Sequence, residues 1–285
     1  MNPPLIHDVS DTAFFVAHYR ALEGSRPDAL FHDPLAERLA GERGRRIGES
    51  MKKALLGGWS IAIRTVIIDG YIGRAVAEGV DTVLNLGAGL DTRPYRMELP
   101  GALRWIEVDF PHVIELKETE LAAETPRCRL ERVRLDLGDV AARRAFLRGL
   151  GAKKLLVLTE GVTPYLSNEQ VAELAKDLRE IGAALWVVDY FNHAVTRTRR
   201  RAAIARHLRN APFRFDPADW FAFFAKAGWR CREIRYILEE AERLRRRPRL
   251  NPLLVLGLVL RGVFMTRQKR AAARRFMGFA LMEPA

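Results

Sequence analysis

The chain has 285 residues, 48% of them hydrophobic, enough to bury a full core within one large domain. Its two cysteines, Cys128 and Cys231, stand far apart with no Cys or His partner at ligand spacing, which argues against a disulfide framework or a metal site and points to a reducing cytoplasm. The formal charge of +12 is unevenly spread: residues 1–190 hold 25 Lys and Arg against 28 Asp and Glu, while residues 191–285 hold 22 against 7.

The N-terminus, MNPPLIHDVSDTAFF, lacks the basic and apolar tracts of a secretory signal, so the mature chain is expected to start near residue 1. Residues 1–78 read as a helical cover, with apolar spacing of 3.6 from Asp11 to about Ala77 and breaks at Pro27, Pro34 and Gly57-Gly58. At Val80 the texture changes to short β-branched or apolar runs between amphipathic segments. Strands are predicted at Thr82–Leu86, Arg104–Val108, Leu130–Leu135, Leu155–Leu158, Leu185–Asp189, Arg232–Tyr236 and Phe276–Met282. Helices are predicted between them at His112–Glu124, Val140–Leu150, Asn168–Ile181 and Pro217–Ala227. This alternation predicts an α/β, Rossmann-like fold: one domain, a seven-stranded, mostly parallel sheet with helices on both faces, and a core over 79–236. Residues 237–275 separate the last two strands (the final one in 276–285) by more than a hairpin needs, so they form an insertion. Within it, Leu253–Leu260 is wholly apolar and the run continues to Met265, with arginine-rich blocks at 243–249 and 267–275.

The first strand leads into VLNLGAGLDTR, where Gly87, Ala88 and Gly89 let the backbone turn and approach a ligand closely. The second strand ends in Glu107-Val108-Asp109, 22 residues after Gly87 for Asp109, the spacing of an acid that accepts from ribose hydroxyls; Glu107 is the second choice by alternation. Thr92 stands where a Gly-x-Gly-x-x-Gly dinucleotide loop has its third glycine. A pyrophosphate would lose the close helix approach that glycine permits, whereas S-adenosylmethionine has no pyrophosphate to cradle.

FHDPLAERL at 31–39, IRT at 63–65, LGAGLDTRPYR at 86–96, IEVDFP at 106–111, LDL at 135–137 and TEGVTPYL at 159–166 follow one another in that order. With them the chain resembles the leucine carboxyl methyltransferase family and its bacterial O-methyltransferase relatives, within the class I S-adenosylmethionine-dependent methyltransferases. The resemblance implies that Arg64 pairs with the cofactor carboxylate, with Arg20 a second basic group nearby. It implies Gly87 at the methionyl end, Asp109 on the ribose, Asp136 and Leu137 at the adenine, and Glu160 on the methionyl amine, facing the reaction centre. Bland alternatives are a surface ion pair for Arg64, a helix N-cap for Asp136 and an acidic loop residue for Glu160. Asp91, Thr92, Arg93 and Arg96 read first as structural, Asp91 capping the next helix and the arginines holding the loop to neighbouring carboxylates.

Methyl transfer to a carboxylate needs no base, whereas a hydroxyl acceptor needs one within hydrogen-bond reach. Candidates near the ends of the fourth and fifth strands are Tyr165, Asp189, Tyr190 and His193, with His193 also readable as a surface histidine. Cover over the acceptor is expected from the helical N-terminal part, from 193–215 and from 237–275. The insertion is expected to be a lid over a hydrophobic small molecule or a peripheral contact with the inner membrane face, since about 20 apolar residues are needed to span a bilayer. Rival readings are a nucleic-acid methyltransferase using the basic C-terminal third, a dehydrogenase, and a non-enzymatic membrane- or partner-binding protein on this scaffold. The first lacks a base-flipping tetrapeptide and aromatic interleaving.

Overall fold

The computed structural model describes residues 10–50, 57–193, 212–246 and 266–285. Three helices open the chain: α1 (Asp11–Gly24), α2 (Pro34–Ser50) and α3 (Gly57–Ala77). They are separated near the Pro27, Pro34 and Gly57-Gly58 breaks of the sequence reading.

Seven strands follow: β1 (Thr82–Leu86), β2 (Arg104–Asp109), β3 (Arg129–Arg134), β4 (Leu155–Thr159), β5 (Leu185–Phe191), β6 (Trp229–Tyr236) and β7 (Met277–Pro284). They form one sheet in the order β3-β2-β1-β4-β5-β7-β6. Pairing is parallel from β3 to β5, while β7 runs antiparallel to both β5 and β6. The central strands β1 and β4 are buried along their whole length, as continuous apolar runs must be when helices cover both faces.

The connecting helices are α4 (Arg93–Arg96), α5 (Pro111–Glu120), α6 (Val140–Arg148), α7 (Asn168–Glu180), α8 (Trp220–Lys226), α9 (Ile237–Arg243) and α10 (Arg267–Arg274). Strand and helix ends differ from the sequence reading by a few residues, for identifiable reasons. The helix expected from Pro217 starts at Trp220 because the Asp219 side chain accepts from the Ala222 amide and fixes the N-cap there. β6 begins three residues before the expected Arg232, since Trp229 is fully buried and pairs with Pro284 of β7. A capping box between Ser167 and Gln170 starts α7 where expected.

Alternation along the strands divides the core in two. Val83, Trp105, Leu156, Leu158, Leu185, Val187 and Phe279 pack against Ile63, Ile67, Ile68 and Tyr71 of α3. Leu84, Leu86, Ile106, Val157, Trp186 and Val188 pack on the other face against Val171, Leu174 and Leu178 of α7 and Phe224 of α8. A third cluster joins Ala17 of α1 and Leu39 of α2 to Leu90 after β1 and Val113 of α5. The N-terminal helices therefore sit over the carboxyl ends of β1 and β2, where ligands bind in open parallel sheets.

Of the insertion, the two flanks lie within the described residues. Arg275 bonds Glu239 at 2.9 Å and Arg274 pairs with Glu242, so the insertion leaves and rejoins the fold at one tied base. Arg246 reaches Glu23 at 2.6 Å, and its carbonyl accepts from Trp59 Nε1 at 2.7 Å, docking that base on the N-terminal helices. The apolar run Leu253–Leu260 with its continuation to Met265 lies outside the described residues, as do residues 194–211 of the expected cover.

Candidate functional site

The loop after β1 is held from below by the end of β2. The amides of Gly87 and Ala88 donate to the Val108 carbonyl at 2.8 and 3.1 Å. Asp109 Oδ2 accepts from the Gly89 amide at 2.6 Å, and its Oδ1 accepts from the Phe110 amide at 2.7 Å. Burial pushes the Asp109 carboxyl above its ordinary value, and the two amides offset part of that rise. Glu107, the alternative acid, is fully buried and taken by Lys117 Nζ at 2.7 Å and Arg132 Nε at 3.0 Å. This corrects the reading by alternation: Glu107 shares a strand face with Asp109 but ties β2 to α5 and β3.

Gly87 has φ of +70°, and a Cβ there would stand 2.4 Å from Val162 Cγ2. Alanine at this position meets both a left-handed backbone and a β4-side neighbour. Gly87→Ala is expected to cost about 1–3 kcal/mol of stability, read as a lowered melting temperature.

Above the loop, α3 turns Arg64 and Asp69 toward the β-strand ends. Arg64 Nε lies 2.6 Å from Glu160 Oε1, on the first residue after β4. Both partners are largely buried, with the Arg64 side chain 17% and the Glu160 side chain 12% exposed. Glu160 Oε2 accepts from Arg93 Nη1 at 2.7 Å. Burial alone would raise the Glu160 carboxyl, but Arg64 and Arg93 outweigh it and hold the group below its ordinary value, ionised at neutral pH.

Arg93 is 2% exposed and also bonds Asp91 Oδ2 at 2.8 Å and Asp69 Oδ1 at 2.7 Å. Arg96 adds bonds of 2.7 and 2.9 Å to Asp69. The structural reading of both arginines therefore holds, and Asp91 Oδ1 accepts from the Arg93 amide at 2.9 Å as a group at a helix start should. Arg20 is nearly fully buried and donates to Asp33 Oδ2 at 2.9 Å and to the Leu90 carbonyl, placing it on the outer side of the same loop.

Asp136 and Leu137 lie on the loop after β3, where Asp136 Oδ1 accepts from the Gly138 amide at 2.7 Å and the Leu137 carbonyl accepts from Arg143 at 2.8 Å. The helix cap considered for Asp136 belongs to Asp139, which accepts from the Ala142 amide. Asp136 is exposed, with its carboxylate outside that capping role. Tyr165, in the short 3-10 turn after β4, stacks on Phe213 with ring centroids 5.2 Å apart. His193 is half exposed and pairs with Asp216 at 2.8 Å, so the histidine is oriented by a largely buried carboxylate.

The structure thus brings Arg64, Gly87, Gly89, Asp109 and Glu160 to one end of the sheet. Sequence reasoning missed Asp69 and the reach of Arg93 to Glu160. A signal was present, since two arginines three residues apart beside a buried loop require carboxylate partners.

A charged pair of opposite sign is of the kind that fits the zwitterionic end of an amino acid, a guanidinium for its carboxylate and a carboxylate for its amine. Across the glycine loop, the Asp109 carboxylate is of the type that accepts from ribose hydroxyls. The residues present fit S-adenosylmethionine on these observations.

The profile of the leucine carboxyl methyltransferase family matches residues 13–179. A Saccharopolyspora erythraea protein, named provisionally as an S-adenosyl-L-methionine-dependent methyltransferase, is 35% identical over 190 residues, which cover 63% of this chain and 66% of that protein. A Mycobacteroides abscessus protein of the same provisional name is 30% identical over 251 residues, covering 74% of this chain and 82% of its own length. In fold, the chain is similar to a crystallised DUF574-family protein from Streptomyces avermitilis, with a TM-score of 0.61 at 15% identity over 96% of this chain and 97% of that one.

Proposed function

Because the chain belongs to the leucine carboxyl methyltransferase family, whose members depend on S-adenosylmethionine, we propose that it moves the methyl group of that cofactor to an oxygen of a small, hydrophobic acceptor, a carboxylate or a hydroxyl. The observation that carries this reading is the Arg64 and Glu160 pair, 2.6 Å apart, beside the Gly87 loop and Asp109.

When bound, the cofactor supplies an electrophilic methyl on a sulfonium. Arg64 would take the α-carboxylate and Glu160 the α-amine, which fixes the methionyl arm against the ends of β1 and β4. Asp109 would accept from the ribose, and Asp136 with Leu137 would border the adenine. The α1–α3 cover and the base of the insertion exclude water from this end of the sheet, so alignment and desolvation carry the rate enhancement. Tyr165 and His193 are the candidates for the acceptor side; a hydroxyl acceptor would use one of them as base, and a carboxylate acceptor neither. Work in the cytoplasm, with residues 237–275 as a lid or a peripheral contact at the inner membrane face, belongs to the same reading. No helix among the described residues is long and apolar enough to cross a membrane.

Among the described residues of the basic C-terminal third, several arginines are committed to carboxylates of the protein itself. Arg232 pairs with Glu78, Arg235 with Glu233, Arg243 with Glu240, Arg246 with Glu23 and Asp28, and Arg275 with Glu239. Charges already paired within the protein release few counterions from a phosphate backbone. Filter binding with RNA and duplex DNA across a salt titration should show only weak retention with a shallow dependence on salt.

Calorimetry decides the cofactor. S-adenosylmethionine is expected to bind with one-to-one stoichiometry and NAD to give no heat; the reverse result would remove the proposal. Incubation with methyl-labelled cofactor and separate aqueous and lipid lysate fractions should place the label in a lipid-soluble small molecule.

A further inference from the structure

Asp189 lies near the end of β5, opposite Phe279 of β7, and is 3% exposed. Its Oδ2 accepts from the Gly161 amide at 2.9 Å. Gly161 follows Glu160 directly and has φ of +70°, and a Cβ on it would stand 3.7 Å from Arg64 Nη1. The glycine therefore lies between two groups: its amide is on the Asp189 carboxylate, and its α-carbon is separated from the Arg64 guanidinium by about the space of one methyl group. The charged groups that act on Asp189 are Arg64 from α3 and Glu160 from the turn after β4, and the influence of Arg64 is the larger. β7 presents the Phe279 position opposite it, without charge.

We propose that Asp189 is a proton-linked positioning residue for Arg64: ionised, it draws the guanidinium toward β5, and protonated, it releases that charge to the carboxylate of the incoming cofactor while still holding the Glu160-Gly161 turn.

The proposal rests on the cofactor reading above. Arg64 is in contact with Glu160, and an anion on Asp189, across Gly161 from the guanidinium, opposes any further carboxylate placed on it by like-charge repulsion. By linkage, a cofactor carboxylate on Arg64 weakens the charge that keeps Asp189 ionised, so binding takes up a proton. The methionyl amine on Glu160 acts in the opposite direction, but Glu160 is the weaker of the two influences. Burial pushes the Asp189 carboxyl up to about 7, which places the exchange at neutral pH.

The stability of the free protein carries a matching sign. A carboxyl whose folded value is raised contributes stability fully present below its unfolded value of 3.8 and lost as pH rises toward about 7. Asp189→Asn removes that loss and keeps an oxygen acceptor for the Gly161 amide, whereas Asp189→Ala removes both.

The test measures the dissociation constant of S-adenosylmethionine by calorimetry from pH 6 to pH 8.5 on the full chain, in buffers of different ionisation enthalpy, with melting temperatures taken alongside. For the wild type, affinity should fall threefold to tenfold across that range with proton uptake near pH 7, as one coupled carboxyl allows. Asp189→Asn should bind as well as the wild type at pH 6, with a flat profile, and its gain in melting temperature over the wild type should be larger at pH 8 than at pH 5 and vanish below pH 3.8. Asp189→Ala should bind more weakly at every pH, with Asn rescuing it. A flat wild-type profile, or an Asn variant that keeps the wild-type slope, overturns the role of Asp189 and leaves the cofactor reading standing. Absence of binding by the wild type at all pH values overturns the cofactor reading, and the coupling falls with it.

Discussion

Arg93→Met should lower stability by about 3–5 kcal/mol, the cost of removing one partner from a buried ionic cluster. The reason is that Arg93 serves three carboxylates at once: Asp69 on α3, Asp91 on the glycine loop and Glu160 after β4. Methionine matches much of its volume but strands those charges in a site from which water is excluded, with Arg96 left to serve Asp69 and Arg64 to serve Glu160. Loss of that size in a domain of this length corresponds to a fall in melting temperature of about 10 °C. Arg93→Lys should fall between, because an ammonium is a point charge and cannot hold three carboxylates in the planar fork of a guanidinium.

The sign with pH separates this cause from lost packing. Asp91 and Glu160 are both held below their ordinary values in the folded protein: burial opposes ionisation in each, and it is outweighed by Arg93 for Asp91 and by Arg64 with Arg93 for Glu160. A carboxyl lowered in this way contributes stability above its unfolded value that is lost as pH falls through its folded one. The gap between wild type and Arg93→Met should therefore be widest at pH 7 and narrow as pH drops from 5 toward 3, past the ordinary values of 3.8 and 4.5 for these groups. A gap that stays constant over that range would assign the loss to packing alone.

How much of this was legible in the sequence follows from what each signal depends on. Strand order and the glycine loop were readable because they rest on local periodicity and on backbone demands at single positions, such as Gly87. The β5 partner was less so: a register that puts antiparallel β7 between β5 and β6 is fixed by Trp229 and Phe279 finding opposite faces, a long-range event. At the site, Asp109 was named from its spacing to Gly87, and Arg64 and Glu160 only through the family resemblance. Glu107 shows where that method stops. Alternation gave it the same face as Asp109, and only the approach of Lys117 and Arg132 from other elements decided that it is a buried structural acid. Asp69 was hidden for the same reason, since nothing local distinguishes an acid in α3 that faces a cation on another element, and Asp189 was named only as a possible base because its bond to the Gly161 amide comes from another strand end. The cap considered for Asp136 moved three residues to Asp139 because a side chain has to sit one step before the helix to accept from its third amide.

A double-mutant cycle on Arg64 and Glu160 should give a double variant that loses more cofactor affinity than the two single variants added together. In the free protein the two side chains lie 2.6 Å apart and neutralise one another. A zwitterion that inserts its carboxylate and amine between them makes two new charge-assisted contacts and gives up the one they replace. Arg64→Met keeps the amine contact and no longer has the internal pair to break; Glu160→Gln keeps the carboxylate contact with the same saving. Each single substitution thus loses one contact and recovers the exchange cost, while the double variant loses both contacts and recovers that cost once. At about 1.5–3 kcal/mol for a charged hydrogen bond, a lost contact alone would raise the dissociation constant by about tenfold or more, and each single change should raise it by less than that because it recovers the exchange cost. The excess in the double variant, about 0.5–3 kcal/mol for groups in direct contact, measures the internal pair that the ligand displaces. Circular dichroism and melting curves on all four proteins keep the comparison to folded chains. Strict additivity would mean that the pair stays closed when the cofactor binds, and that Glu160 is held by Arg64 and Arg93 purely to keep the β4 turn in place.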